Sequence, residues 1–330
     1  MTDPAPLATV TRGDILESRH VGHAVIAGET GQIVEAWGDP DRVILPRSSC
    51  KMVQALPLLE SGAGRDLNDA QLALACASHE GERRHVDLVR RWLTDLGLTE
   101  DALLCGPEES RDTDYRDEMI RERRAPGRLL NNCSGKHTGF LMLGQHLRAG
   151  PHYVAPDHAV QNAVRAAFEE VTELAAPGFG IDGCSAPNFA TTVHGLARAM
   201  ARFAAAAEGQ SARQTAMVRL RQAMMAHPGL VSGRVASCND LMSAAPGRIA
   251  AKTGAEGVYI AILPEQKIGI AVKADDGAKR AATAAIAALL VRRGIVSPDN
   301  PRIAAWLTQP VFNRDDILTG HVRAAPELMA

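Results

Sequence analysis

The apolar and polar positions divide the chain into a β-rich beginning, a long helical middle and a second β-rich region before a final helix. Two runs, at residues 23–27 and 32–37, are rich in residues that favour strands. The intervening Gly-Glu-Thr-Gly predicts a hairpin, which polar residues 38–41 close. The N-terminal region therefore contributes at least two antiparallel strands.

From about residue 51 to about residue 227, apolar residues recur at the spacing of one helix face. The predicted helices span residues 69–76, 82–96, 136–147, 157–174, 190–207 and 212–225. Irregular connections rich in polar residues separate them. This middle segment therefore predicts a helical subdomain.

Strand patterns return at residues 248–252, 257–263 and 267–273, and an alanine-rich helix follows at 279–292. A sheet built from about 12–45 and 246–295, with the helical segment inserted between, predicts an α/β fold with a mainly antiparallel sheet. We expect one domain over residues 1–330. The segment after Gly294 matches no pattern that we can assign.

Composition narrows the possible partners. With 330 residues and 46% hydrophobic content, the chain can bury a substantial core. A formal net charge of −2 provides no general attraction for nucleic acid or anionic lipid. The first residues lack a signal-peptide pattern, no stretch approaches a membrane span, and six cysteines are too few for a disulfide framework. We therefore expect a cytoplasmic protein with reduced thiols.

Ser48 and Lys51 form an S-x-x-K motif. On one helical turn, residues three apart are neighbours, so the hydroxyl would lie beside the amine. A serine becomes a strong nucleophile only when a neighbouring base takes its proton, and a desolvated lysine can be that base. Alone, the motif is weak because it recurs by chance, and a structural role is the simpler interpretation.

A second serine and a second lysine strengthen this interpretation. Lys252, Thr253 and Gly254 follow a predicted strand and form K-T-G, which β-lactamases combine with S-x-x-K and S-D-N. Ser78 ends a predicted helix between these two motifs, in the same chain order. On a sheet edge, K-T-G can present an ammonium and backbone N–H groups to a substrate, and Gly254 would allow close approach.

Five segments together resemble one known family. They are residues 45–51, 76–79, 132–137 (Asn-Cys-Ser-Gly-Lys-His), 182–184 (Asp-Gly-Cys) and the segment around Lys252. In this order they are similar to the rhizobial-type L-asparaginases, from about Arg12 to Asp276. The resemblance implies a β-lactamase/glutaminase-like fold and hydrolysis of L-asparagine to L-aspartate and ammonia.

The resemblance also implies roles for individual residues. The family's two catalytic serine–lysine tandems correspond to Ser48 with Lys51 and to Ser78 with Lys252. Its zinc ligands correspond to Cys133, Lys136 and Cys184, and its members form homodimers. Spacing alone would not have suggested zinc, because C-x-x-K is not a standard zinc motif. His137 is an alternative ligand beside it, and Asn131 and Asn132 would simply cap the helix that begins near Gly135.

Several polar residues adjoin these motifs and are candidates for substrate binding. They are Arg47, His79, Glu80, His137, Asp182, Thr253 and Gly254. The planar fork of Arg47 suits a carboxylate, whereas Asp182 or Glu80 could hold an ammonium. Purely structural hydrogen bonds are the alternative for His79 and Asp182. A glutaminase, a β-lactamase-like hydrolase and a non-catalytic relative remain as alternative functions.

Overall fold

The structure, a computed structural model, describes residues 2–330. Its strands are β1 (Ala5–Arg12), β2 (Ile15–Ala27), β3 (Ile33–Trp37), β4 (Val43–Ile44), β5 (Phe179–Ile181), β6 (Pro187–Phe189), β7 (Thr191–Thr192), β8 (Ala250–Thr253), β9 (Val258–Leu263), β10 (Ile268–Ala274), β11 (Thr308–Phe312) and β12 (Leu318–Ala324).

Helices occupy most of the middle of the chain. They are α1 (Lys51–Gln54), α2 (Leu56–Glu60), α3 (Asp69–Ala75), α4 (Arg83–Asp95), α5 (Thr113–Arg121), α6 (Ser134–His146), α7 (Ala159–Thr172), α8 (Val193–Ala205), α9 (Ala212–Ala226), α10 (Pro228–Val231), α11 (Ser237–Ala244), α12 (Lys279–Arg292) and α13 (Pro301–Leu307). Within residues 2–330, none combines the length and the apolar composition that crossing a membrane requires.

The chain divides into two compact units, each discontinuous in sequence. We call the first the strand unit; it contains the chain up to Cys50, Thr191–Ala205 and Asp240–Ala330. The second, the helical unit, contains Lys51–Ala190 and Ala206–Asn239.

The strand unit is built around an antiparallel sheet with the order β11-β12-β1-β2-β10-β9-β8, and β3 also pairs with β2. In the middle of the sheet, Ile26 lies opposite Ile270, so strands from the two chain ends meet directly. All six residues of β9 are buried because α8 and α12 both pack on this strand. The predicted α/β class with a mainly antiparallel sheet from both ends is confirmed.

Most predicted elements of the strand unit are confirmed within a few residues, and helix 279–292 matches α12. Helix 190–207 begins later, at Val193, because Thr191 and Thr192 pair with β4 as β7. The prediction missed α13, and β2 begins at Ile15, well before the predicted run 23–27. Among the strands of the large sheet, it missed β1, β11 and β12. These strands are short or half exposed, so apolar alternation along them is weak.

The helical unit has its core among α3, α6 and α9, which were all predicted. Helix α6 approaches α3 closely at Gly135, where an added Cβ would lie 2.4 Å from the carbonyl oxygen of Leu74. Any larger residue would separate the two helices. The glycine of the Asn-Cys-Ser-Gly-Lys-His segment thus has a packing role, and it fixes the helix that carries Lys136.

Candidate active site

Ser48 lies in a tight turn of the strand unit. Residues Arg47–Cys50 form a single 3-10 turn, in which the Ser49 backbone N–H and Oγ donate to the Pro46 carbonyl oxygen at 3.2 and 2.7 Å. Arg47 has a φ of 53°, in the left-handed region that non-glycine residues rarely adopt. Such strain concentrates at functional sites. Ser48, which is half-buried, therefore lies in a turn whose backbone is strained at Arg47 but is held by two hydrogen bonds from Ser49.

The K-T-G motif lies beside this turn. It lies at the end of the predicted strand, which the structure has as β8, and β8 is an edge strand of the sheet. Lys252 is fully buried, and its Nζ donates to the Thr253 carbonyl oxygen at 2.9 Å. A Cβ at Gly254 would lie 2.6 Å from the Pro46 oxygen and 3.2 Å from the Ser49 nitrogen.

This packing changes the interpretation of Gly254. We expected the missing side chain to admit substrate, but the space is filled by the turn that carries Ser48. Its backbone N–H is also committed, because it donates to the Val258 carbonyl oxygen at 2.7 Å. Gly254 therefore sets the distance between K-T-G and the serine turn.

Lys51 begins α1 in the helical unit and is 1% exposed. Its Nζ lies 2.5 Å from the Ala77 carbonyl oxygen, 2.9 Å from Ser78 Oγ and 3.1 Å from Cys133 Sγ. An amine with three such partners is held in one position. The structure thus brings together Lys51 and Ser78, one residue from each of the two predicted pairs.

The segment carrying Ser78 is itself fixed by backbone hydrogen bonds. The Ser78 and Glu80 N–H groups donate to the carbonyl oxygens of Val231 and Ser232, at 3.0 and 2.8 Å. Between them, the His79 N–H donates to the Asn132 carbonyl oxygen at 3.1 Å. The backbone on both sides of the Ser78 hydroxyl is therefore held in place by hydrogen bonds.

The predicted zinc ligands also come together in the helical unit. Lys136 Nζ lies 3.1 Å from Cys184 Sγ, and Cys133, Lys136 and Cys184 are all buried. A hydrogen bond from Cys133, opposed by burial, holds the pKa of the Cys184 thiol well below its usual range, and Lys136 lowers it further. The same bond and burial raise the pKa of Cys133.

The charge state of Lys136 follows from these neighbours. Burial acts to lower the pKa of its amine, but the sulfurs of Cys184 and Cys133 outweigh burial and raise it. The Lys136 amine and the two thiols therefore influence one another's protonation.

Asp182 shapes the loop that presents Cys184. It closes the β5–β6 hairpin: its N–H donates to the Ala186 carbonyl oxygen at 2.9 Å, and its Oδ1 accepts from the Gly183 N–H at 2.7 Å. Ser185 has a φ of 69°, so this turn too contains a residue in the left-handed region. Asp182 thus has at least a structural role in this hairpin.

Comparison with known proteins identifies the family. The family model described as L-asparaginase II matches residues 8–324, nearly the whole chain. The chain belongs to the L-asparaginase II family. This membership makes it an enzyme, an L-asparaginase amidohydrolase whose substrate is a small molecule.

Solved structures with a related fold resemble the chain only distantly. A class C β-lactamase is 14% identical, covers 79% of this chain and 89% of its own, and has a TM-score of 0.42. A D-alanine carboxypeptidase from Burkholderia cenocepacia is 13% identical, with coverages of 86% and 93% and a TM-score of 0.38. Mglu in its native form is 15% identical, with coverages of 88% and 68% and a TM-score of 0.39. These values are too low to bear on the activity, and no curated protein matches.

Two histidines considered for this L-asparaginase site lie inside the helical unit. His79 accepts from the Gly81 N–H through Nδ1 at 3.1 Å, and its Nε2 lies 2.8 Å from Ser134 Oγ. Burial lowers the pKa of His79 well below its usual value. With both ring nitrogens satisfied, its geometry favours the structural alternative. Glu80 is half exposed on the same segment.

His137 is oriented by Tyr153. The Tyr153 hydroxyl accepts from the Leu104 N–H at 2.7 Å and lies 2.9 Å from His137 Nδ1. Burial lowers the pKa of the His137 ring to about 4. His137 is thus anchored through Nδ1.

Proposed function

We propose that this L-asparaginase hydrolyses the side-chain amide of L-asparagine by serine–lysine nucleophilic catalysis through an acyl-enzyme. The contact that supports this proposal most strongly is the one between Lys51 Nζ and Ser78 Oγ. A lysine that is almost fully buried and held against a serine hydroxyl suits proton transfer better than it suits structure.

The first step forms the ester. Ser48 Oγ attacks the amide carbon, and Lys51, three residues further along the chain, takes the hydroxyl proton. The tetrahedral intermediate then collapses, its C–N bond breaks, and ammonia leaves with a proton from Lys51 relayed by the Ser78 hydroxyl. The result is an aspartyl ester on Ser48.

The second step reverses these roles. Water attacks the ester carbon and gives a proton to Lys51, and Ser48 Oγ leaves and recovers its proton as L-aspartate forms. The positive charge of Lys252, in K-T-G, would stabilise the negatively charged oxygen of each tetrahedral intermediate. Arg47 and either Asp182 or Glu80 would bind the substrate's α-carboxylate and α-ammonium, as the sequence predicts; Thr253 also remains a candidate.

Zinc is a further part of the proposal. Two sulfurs and an amine, at Cys133, Cys184 and Lys136, form a donor set that suits this metal. Within residues 2–330, no group of three His, Cys, Asp or Glu side chains is placed to hold a metal ion. The proposed donor set includes the Lys136 amine. Binding would require Cys133 and Lys136 to lose protons, and the ion would then fix the loops around these residues. The homodimer likewise stays a prediction.

Ammonia release from L-asparagine, measured for a set of serine and lysine variants, tests the proposal. Ser48→Ala and Lys51→Met should each lower kcat by about a thousandfold or more, since both groups take part directly in the reaction. Ser49→Ala is the matched control, because the Ser49 hydroxyl takes no part in the proposed reaction and the backbone N–H of residue 49 still donates to the Pro46 oxygen after the substitution.

Three results would contradict the proposal or its parts. If Ser48→Ala turns over normally while Ser78→Ala is inactive, the nucleophile is Ser78. Faster ammonia release from L-glutamine would identify a glutaminase, whose substrate differs by one methylene. Nitrocefin hydrolysis would support the β-lactamase-like alternative.

A further inference from the structure

Asn132 has a different role from the helix cap that its sequence position predicts. Helix α6 begins at Ser134 without a side-chain cap, and the Asn132 side chain turns elsewhere. Its Nδ2 lies 3.1 Å from Glu108 Oε2, and its Oδ1 lies 2.9 Å from Cys133 Sγ. The amide therefore bridges a carboxylate and a thiol.

The identity of each amide atom follows from the chemistry of its partner. A carboxylate can only accept, so the atom that faces Glu108 must be the NH2 group. Glu108 Oε2 also accepts from the Asn132 backbone N–H at 2.9 Å. Residue 132 is consequently held at two points, and its side-chain oxygen faces Cys133.

Glu108 is itself held in place from the other side. Arg111 Nε and Nη2 both donate to Glu108 Oε1, at 3.0 and 2.7 Å. Charge-assisted bonds of this kind are stronger than neutral ones. Arg111 thus braces the carboxylate that accepts from Asn132.

The bridge leads directly to the lysine–serine contact. Cys133 Sγ, 2.9 Å from Asn132 Oδ1, also lies 3.1 Å from Lys51 Nζ, so the Asn132 side chain helps to position the sulfur that this amine contacts. The Asn132 carbonyl oxygen meanwhile accepts from the N–H of His79, the residue after Ser78. One residue thus fixes Lys51 through its side chain and the Ser78 segment through its backbone.

We propose that Asn132 and Glu108 are positioning residues that hold Lys51 Nζ against Ser78 Oγ. This inference rests on the proposed role of Lys51 as base. Neither residue touches the reacting atoms; Glu108 acts only through Asn132, and Asn132 acts through Cys133 and the backbone. Supports of this kind affect turnover more than substrate affinity.

The test compares Glu108→Gln, Asn132→Leu and the double variant for L-asparagine hydrolysis. Each single change should lower kcat by about 10- to 100-fold, and KM should stay within about twofold of wild type. The double variant should be no slower than Asn132→Leu, because Glu108 has no separate path to Lys51. Asn132→Ser replaces Asn132→Leu if the larger side chain prevents folding.

Glu118→Gln is the matched control. Glu118 lies in the same unit and also binds two arginines, Arg83 and Arg124, but it has no contact with Asn132 or Cys133. Its loss should leave kcat unchanged. Unfolding midpoints measured for all variants separate a loss of stability from a loss of turnover.

Unchanged kcat in Glu108→Gln, additive losses in the double variant, or a change in KM alone would overturn the inference. Lys51→Met separates this failure from failure of the proposed function. If Lys51→Met is inactive and Glu108→Gln is normal, only the positioning role fails. If Lys51→Met keeps wild-type turnover, Lys51 is not the base, and both proposals fall.

Discussion

Replacing Gly254 by alanine would place a methyl group against the turn that carries Ser48. The new Cβ would lie 2.6 Å from the Pro46 oxygen, where an ordinary contact starts near 3.4 Å, so strand and turn must separate by about 0.8 Å. Forcing an extra methyl into a packed site costs about 1–3 kcal/mol in the free energy of unfolding. Displacing a reacting group by this distance can lower kcat by about 10- to 100-fold.

Urea unfolding and steady-state hydrolysis of L-asparagine measure the two effects. Gly150→Ala is the matched control, because nothing lies within 4 Å of a Cβ at Gly150 and its backbone suits alanine. If Gly254→Ala keeps both the stability and the kcat of wild type, the turn that carries Ser48 can move away from residue 254 without affecting folding or catalysis. The close approach would then not position Ser48, and the reasoning would be refuted.

Two further predictions concern acid stability and metal binding. Burial lowers the pKa of His85 from 6.5 to about 4, so the unfolded chain binds more protons, and stability should fall as the pH drops below 6.5. Between pH 7 and about pH 5, urea unfolding of wild type should show that His85 lowers the free energy of unfolding by about 2 kcal/mol, and His85→Gln should not show this loss. Equal losses in the two proteins would contradict the prediction. Added zinc at about 100 times its Kd should stabilise wild type by about 3 kcal/mol in thermal unfolding. Cys184→Ser should abolish this gain and Cys105→Ser should keep it, whereas equal gains in all three proteins would place the metal elsewhere.

The predicted part of the fold depends on local pattern. Helix α12 and strands β9 and β10 follow from apolar runs that a short window of sequence contains. Strand β1 does not, because it is stabilised by pairing with β12, where Ala8 lies opposite Ala324. Pairing between opposite ends of the chain leaves no local signal in either segment.

The candidate site likewise contains some residues that the sequence predicts and others that only the structure reveals. Ser48, Lys51, Ser78 and Lys252 stand out in sequence because their motifs have recognisable spacing and order. The contact between Lys51 and Cys133 joins residues far apart in the chain, and Glu108 belongs to no motif. Only tertiary structure shows that Gly254 packs on the serine turn or that Asn132 supports a lysine.

Trapping the covalent intermediate tests the central claim most directly. Wild-type protein mixed with L-asparagine and quenched in acid during turnover would be digested, and its peptides analysed by mass spectrometry. We predict an aspartyl ester on Ser48, which Ser48→Ala lacks and the Ser49→Ala control retains. An ester on Ser78, or no ester at any quench time while ammonia is released, would contradict the account.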